Sequence, residues 1–314
     1  VGMITPWNYP FFLTATVAFS ALFAGNTVLN KPSEVTPLVG LEFEKLLRDC
    51  GLPPAIYQCL PGGAEIGKRL VDVGCDRIAF TGSPQVGRIV AESCGRQLTP
   101  VSLELGGKDP AIVWEDADLA RAVHALPWAA VSNCGQTCAA IERIYVHQAV
   151  AAEFTEQLVQ ATQELRQGPD LNFDVELGSM ATRMQYEQVS ALIEDARQQG
   201  ASILIGGRGR LGSGERARYF YPPTILTDTT SDMRIAHEEV FGPVVTIHTI
   251  KTEQEALKRA NDSSFGLTAS VWTRDQALAN RLSQALHCGS VFINDALVPS
   301  GAAEAPWGGV KDSG

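Results

Sequence analysis

Two short stretches carry the residues best suited to covalent chemistry. Leu103-Glu104-Leu105-Gly106-Gly107-Lys108 supplies a carboxylate, and Asn133-Cys134-Gly135-Gln136-Thr137-Cys138 supplies a thiol, each beside glycine. A thiol that forms and releases a covalent bond needs small backbone next to it, and a carboxylate acting as a base must be able to reach water. Cys138 therefore reads as a nucleophile and Glu104 as a base. The plainer alternatives are a small buried hydrophobe and a half-buried strand carboxylate satisfied by neighbouring amides. Gly135, Gln136 and Thr137 are poor company for a core cysteine, whereas Cys134 reads as core or spectator. No metal is expected: nothing completes a tetrahedral set around Cys134 and Cys138, and the five histidines (His124, His147, His237, His248, His287) form no H-E-x-x-H. A serine hydrolase is disfavoured, since no G-x-S-x-G elbow is present.

Further candidates lie around this pair. In Trp7-Asn8-Tyr9-Pro10, Asn8 suits a helix N-cap and equally a donor aimed at a substrate carbonyl oxygen. Lys31-Pro32-Ser33-Glu34 follows an apolar run; Lys31 and Glu34 suit the hydroxyls of a ribose, or Glu34 simply favours a helix start. Phe80-Thr81-Gly82-Ser83-Pro84-Gln85-Val86-Gly87 joins a strand pattern to a helix pattern. There Gly82 permits close approach and the first helical turn offers N–H groups to an anion, although many α/β corners look the same. Gly207-Arg208-Gly209-Arg210-Leu211-Gly212 matches G-x-G-x-x-G, but the chain then runs to Tyr221-Pro222-Pro223, where no helix can open. An exposed loop is expected there.

The elements that must position these residues alternate. In the first third, strands are expected over 27–30, 55–60 and 77–80, and helices over 37–47, 64–71 and 84–94, the last capped by Ser83 and begun by Pro84. The apolar stretch 11–24 is too short to cross a bilayer and reads as a buried helix stopped at Gly25. Beyond Gly106-Gly107 come strands over 111–113, 144–146, 203–205, 244–250, 270–272 and 290–294, with helices over 149–165, 182–199, 253–260 and 275–286. Repeated βα units predict mostly parallel sheets, in an α/β fold of two domains divided near residue 105.

Composition agrees with an enzyme-sized globular protein: 314 residues, 45% hydrophobic and 19% charged. The net charge of −10 disfavours nucleic acid and anionic membranes as partners. Seven dispersed cysteines suggest reduced thiols and a cytoplasmic location. The chain starts at Val1 rather than Met and closes on Lys311-Asp312-Ser313-Gly314, which suggests an internal piece of a longer protein.

Seven motifs occur in the order seen in the aldehyde dehydrogenase superfamily: Pro6-Trp7-Asn8, Lys31-Pro32-Ser33-Glu34, Phe80-Thr81-Gly82-Ser83, Leu103 to Lys108, Gly135-Gln136-Thr137-Cys138, Glu238-Glu239-Val240-Phe241-Gly242-Pro243 and Pro306-Trp307-Gly308-Gly309-Val310-Lys311. The chain resembles that family from end to end. The resemblance implies a Rossmann-like parallel-sheet NAD-binding domain over 1–105 with its N-terminal part missing. It also implies an α/β catalytic thiol domain over 106–314 with its C-terminal end missing.

By the same resemblance, Cys138 attacks an aldehyde, and Asn8 with the Cys138 amide holds the oxyanion. Glu104 activates the water that hydrolyses the thioester. Lys31 and Glu34 would bind the adenosine ribose, Gly82 and Ser83 the pyrophosphate, and Glu239 the nicotinamide ribose, while Phe241 and Trp7 wall the nicotinamide pocket. NAD is implied, with NADP the alternative. The implied partners are a small-molecule aldehyde and, for the full-length parent, further copies of itself in a dimer or tetramer. The competing readings are a truncated, non-catalytic relative and an acylating enzyme that uses coenzyme A; Glu104 argues against the latter. Residues 298–305 offer no arginine to anchor a carboxylated aldehyde.

Overall fold

The computed structural model describes the chain apart from residues 170, 171, 173, 212–217, 298–300 and 303. It divides into two compact units, Val1–Leu105 with Gly314, and Gly106–Ser313.

In the first unit the chain runs β1 (Gly2–Thr5), α1 (Phe12–Phe23), β2 (Val28–Pro32), α2 (Pro37–Asp49), β3 (Tyr57–Cys59), α3 (Ala64–Asp72), β4 (Ile78–Thr81), α4 (Pro84–Gln97) and β5 (Val101–Glu104). The strands pair in the order β3-β2-β1-β4-β5, every ladder parallel. Parallel neighbours require crossovers, and helices α1 to α4 supply them. Met3, Val28, Phe43 and Tyr57 form one core cluster, and Ile78, Phe80, Val90 and Cys94 another. Ser83 caps α4 by accepting from the Val86 amide, with Pro84 at the first helical position, as the sequence predicts.

Helix α1 departs from the expectation of a buried helix. It buries Thr14, Ala15, Ala18 and Ala21, but Phe12 and Phe23 are 50% and 88% exposed. Its hydrophobicity is high all round, so periodicity could not tell that the small side chains face the sheet and the large ones do not. Strand β1 also escaped the sequence pattern, being only four residues long at the start of the chain.

The second unit contains β6 (Asp109–Val113), α5 (Leu119–Val131), β7 (Ile141–His147), α6 (Ala151–Gln163), α7 (Arg183–Gln198), β8 (Ser202–Ile205), β9 (Arg210–Leu211), β10 (Tyr219–Phe220), β11 (Thr224–Thr227), α8 (Arg234–His237), β12 (Val244–Ile250), α9 (Glu253–Asn261), β13 (Thr268–Trp272), α10 (Gln276–Ala285) and β14 (Ser290–Ile293). Its seven-stranded sheet has the order β14-β13-β6-β7-β12-β11-β8, parallel except where β8 meets β11. Central strand β7 is buried at every position. Helix α5 carries Pro127 in its interior, which breaks the pattern by which sequence reading finds helices.

The G-x-G-x-x-G stretch is not simply loop. Arg210 and Leu211 pair antiparallel with Phe220 and Tyr219 as a two-residue ladder, because β-pairing satisfies backbone groups that composition alone leaves open. Gly212 and the five residues after it lie outside the described residues. Among the described residues no helix is long and apolar enough to cross a membrane.

Candidate active site

Seven of the residues singled out by sequence stand at the C-terminal ends of strands in the first unit. Trp7 and Asn8 follow β1, Lys31 and Glu34 lie at and beyond the end of β2, Gly82 and Ser83 follow β4, and Glu104 ends β5. Strand β1 has β2 on one side and β4 on the other. The outward connections therefore reverse direction beside β1, the point where open parallel sheets bind nucleotides.

Buried polar side chains pin this edge. The Thr14 hydroxyl donates to Thr5 Oγ1 at 3.2 Å, Thr5 donates to Asn30 Oδ1 at 3.2 Å, and the Asn30 amide donates to the Tyr57 hydroxyl at 2.8 Å. Lys31 is buried and donates to Glu34 Oε2 at 2.8 Å, and this contact holds the largely exposed Glu34 carboxyl below its ordinary range. The Gly82 amide donates to the Glu104 carbonyl at 3.0 Å, and Thr81 is in register with Glu104, so the turn carrying Gly82 and Ser83 is tied to the strand end carrying Glu104. Asn8 is not the cap of α1: that position is Phe11, three residues later, and no side chain caps it.

In the second unit, Cys138 is delivered by an uncommon backbone path. After α5, Asn133, Cys134 and Gly135 take φ of 53°, 58° and 67°, three left-handed residues in succession. Two of them carry side chains and store strain of the order of 1 kcal/mol each. Gln136 holds the turn: its Nε2 donates to the Asn133 carbonyl at 2.9 Å and its Oε1 accepts from the Ala181 amide at 2.9 Å. A Cβ on Gly135 would collide with the Gly242 carbonyl, and one on Gly107 would collide with the carbonyl of Cys138 itself. Cys138 is half-buried, while Cys134 is buried against the Gly178 carbonyl, its thiol pushed up to about 11 by burial.

Glu239 and Phe241 sit on the loop between α8 and β12. Glu239 Oε1 accepts from the Gly107 amide at 2.9 Å, so the carboxylate shares Gly107 with the Cys138 backbone. Desolvation, reinforced by the charge of Glu142, pushes the Glu239 carboxyl up to about 8. Sequence reading missed Glu142. Its carboxylate is 3% exposed, accepts from the Val240 and Phe241 amides at 2.9 and 3.0 Å, and pairs at 2.7 Å with Lys108, itself 1% exposed. Lys108 also donates to the Glu238 carbonyl. The available signal was an acid inside the strand Ile141-Glu142-Arg143-Ile144-Tyr145-Val146-His147, where an unpaired charge would be costly. Among the described residues no group of His, Cys, Asp and Glu could hold a metal ion.

A sequence model described as the aldehyde dehydrogenase family matches residues 1–314. The chain belongs to the aldehyde dehydrogenase family. A Mycolicibacterium smegmatis protein provisionally named succinate-semialdehyde dehydrogenase [NADP(+)] is 41% identical over the whole of this chain and 60% of its own length. A solved NAD-dependent aldehyde dehydrogenase from Sinorhizobium meliloti superposes with a TM-score of 0.94 at 34% identity, over 99% of this chain and 61% of that one. Lactaldehyde dehydrogenase from Escherichia coli gives 0.95 at 36% identity, over 100% and 65%. The chain thus spans about three-fifths of the length of the aldehyde dehydrogenases it matches.

Proposed function

We propose that this aldehyde dehydrogenase chain serves the oxidation of a small aldehyde to a carboxylic acid, with NAD or NADP as hydride acceptor. The observation that carries the reading is the family match over residues 1–314, with Cys138 and Glu104 in the stretches whose sequence resembles the family's motifs. In this reading the first unit binds nucleotide and the second supplies the thiol. A nucleotide fits the first unit's strand ends: a parallel-sheet switch point, a glycine at 82, the N-terminus of α4 and a Lys31–Glu34 pair beside it.

Cys138, as thiolate, adds to the aldehyde carbon and forms a tetrahedral alkoxide. The Asn8 amide and the Cys138 N–H hold that oxyanion, each such donor contributing on the order of 3 kcal/mol of transition-state stabilisation. A nicotinamide held in this site would supply a hydride acceptor for the carbon bound to Cys138, and Cys138 would then carry the acyl group as a thioester. Glu104 then takes a proton from water, the hydroxide adds to the thioester, and the thiolate leaves as the acid forms. Glu34 favours NAD over NADP by repelling a 2′-phosphate. The named relatives differ here, the mycobacterial one specifying NADP(+) and the rhizobial one NAD. For the full-length protein we place the reaction in the cytoplasm, in a homodimer or homotetramer.

The test is to incubate the full-length protein with NAD or NADP and an aldehyde panel while following reduced cofactor by absorbance. Turnover to the acid supports the reading. No turnover with any aldehyde, or turnover only when coenzyme A is added, overturns it.

A further inference from the structure

We propose that Glu142 is a positioning residue for the cofactor loop, clamping Val240 and Phe241 so that Glu239 is presented to the nicotinamide ribose. The proposal rests on the reading of Glu239 and Phe241 as cofactor contacts. Four observations within the second unit carry it.

First, Glu142 occupies a bulge. Consecutive Asp109 and Pro110 on β6 are in register with Ile141 and Arg143 on β7, leaving Glu142 as the extra residue. Bulges re-aim a side chain that a regular strand would commit to one face. Second, its acceptors are taken by the loop: Val240 N donates to both carboxylate oxygens, at 2.9 and 3.0 Å, and Phe241 N to one at 3.0 Å. Two consecutive amides aimed at one anion fix the orientation of the peptide between them.

Third, the carbonyls of the same two residues are held as well. Gln185 Nε2 donates to the Val240 and Phe241 carbonyls, both at 3.1 Å. Phe241 is thereby kept at φ 50°, a conformation a side-chain-bearing residue adopts only where its surroundings enforce it. Fourth, Lys108 joins the clamp to the glycine pair. Its ammonium bonds Glu142 and the Glu238 carbonyl, while the neighbouring Gly107 amide bonds Glu239. A glutamine at 142 retains one carbonyl acceptor but turns an NH2 toward N–H donors and leaves Lys108 without its counter-ion. Loop geometry should loosen where it meets cofactor.

In full-length protein, NADH binding is titrated by fluorescence and KM is measured separately for NAD and for aldehyde, with Glu142→Gln, Gln185→Ala and the core control Ile144→Val. The expected result is an NADH Kd and an NAD KM raised about tenfold in Glu142→Gln, the change that loss of roughly one charged hydrogen bond produces. Gln185→Ala should move the same way. The aldehyde KM at saturating NAD should stay within about twofold, and Ile144→Val should lower Tm without moving Kd. Should Glu142→Gln not fold, Gln185→Ala decides. The clamp is overturned if wild-type protein binds NADH and the folded variants bind it within about twofold of wild type, or shift no more than Ile144→Val at equal loss of Tm. Failure of wild-type protein to bind NADH would instead remove the cofactor reading, and the clamp with it.

Discussion

The Gly107 amide donates to Glu239 Oε1 at 2.9 Å across 132 residues of sequence, while a Cβ on the same glycine would meet the Cys138 carbonyl. One residue without a side chain thus joins the candidate nucleophile to a candidate cofactor contact.

Gly107→Ala places a methyl group where the Cys138 carbonyl now lies. The nucleophile's backbone has to move, and a displacement near 1 Å costs about 100-fold in rate. We expect kcat to fall by about that factor, with a smaller loss of Tm. Equal activity in the alanine variant would show that the contact is dispensable.

The two cysteines of the turn should differ in reactivity. Cys134 is buried with its thiol pushed up to about 11, whereas Cys138 is half-buried. Limiting iodoacetamide followed by peptide mass spectrometry should find Cys138 alkylated well before Cys134. Cys134→Ala should keep most turnover and Cys138→Ala should lose it, by about 1,000-fold or more.

Glu104→Gln removes the proposed base without removing the thiol. The variant should form the thioester on Cys138 and stall there, with steady turnover down about 100-fold or more. Intact mass after mixing with aldehyde and NAD reads the acyl adduct, and Cys138→Ala is the blank. A variant that hydrolyses at the wild-type rate assigns the base elsewhere.

Glu34 carries the cofactor preference in our reading. Because Lys31 lies 2.8 Å from its carboxylate, Glu34→Gln both removes the charge and frees a cation. The ratio of kcat/KM for NAD to that for NADP should fall about tenfold or more, since a phosphate then meets Lys31 rather than an anion. An unchanged ratio would place discrimination at another residue.

Stability should depend on pH through two raised carboxyls. Glu239 and Asp109 are both held near 8 by burial, Asp109 while accepting from the Thr268 hydroxyl. Between pH 4.5 and 8 the folded state keeps protons that the unfolded chain releases, so these groups lower stability as pH rises, each by at most about 1.4 kcal/mol per unit. The contribution is level below the unfolded values and again above about 8. Denaturant melts at pH 5, 6, 7 and 8 should therefore show a shallower decline for Asp109→Asn than for wild type. A parallel decline in both would mean that Asp109 is already ionised.

The order of strands and helices was largely legible in the chain. Ser83-Pro84 marks a helix start by local chemistry, and β12 alternates with enough apolar length to be found at its observed bounds, Val244–Ile250. Those signals act within a few residues of themselves. Helix α5 was hidden by Pro127, and the face buried by α1 was hidden because large and small apolar residues recur all round it, with only Thr14, Thr16 and Ser20 polar. Which face a helix buries depends on the surface opposite.

The chemistry of the site divides in the same way. Cys138, Glu104, Asn8 and Glu239 could be singled out as candidates from residue type and motif order, because the capacity to act as a nucleophile, a base or an oxyanion donor belongs to single side chains in short contexts. Family membership follows from the same order, and the match over 1–314 establishes it. Glu142 could not be found that way. It acquires its role from a bulge against Asp109-Pro110, a lysine 34 residues earlier and two amides nearly 100 residues later. Burial makes a carboxylate at that point untenable unless all these groups arrive together, and only the folded sheet brings them there.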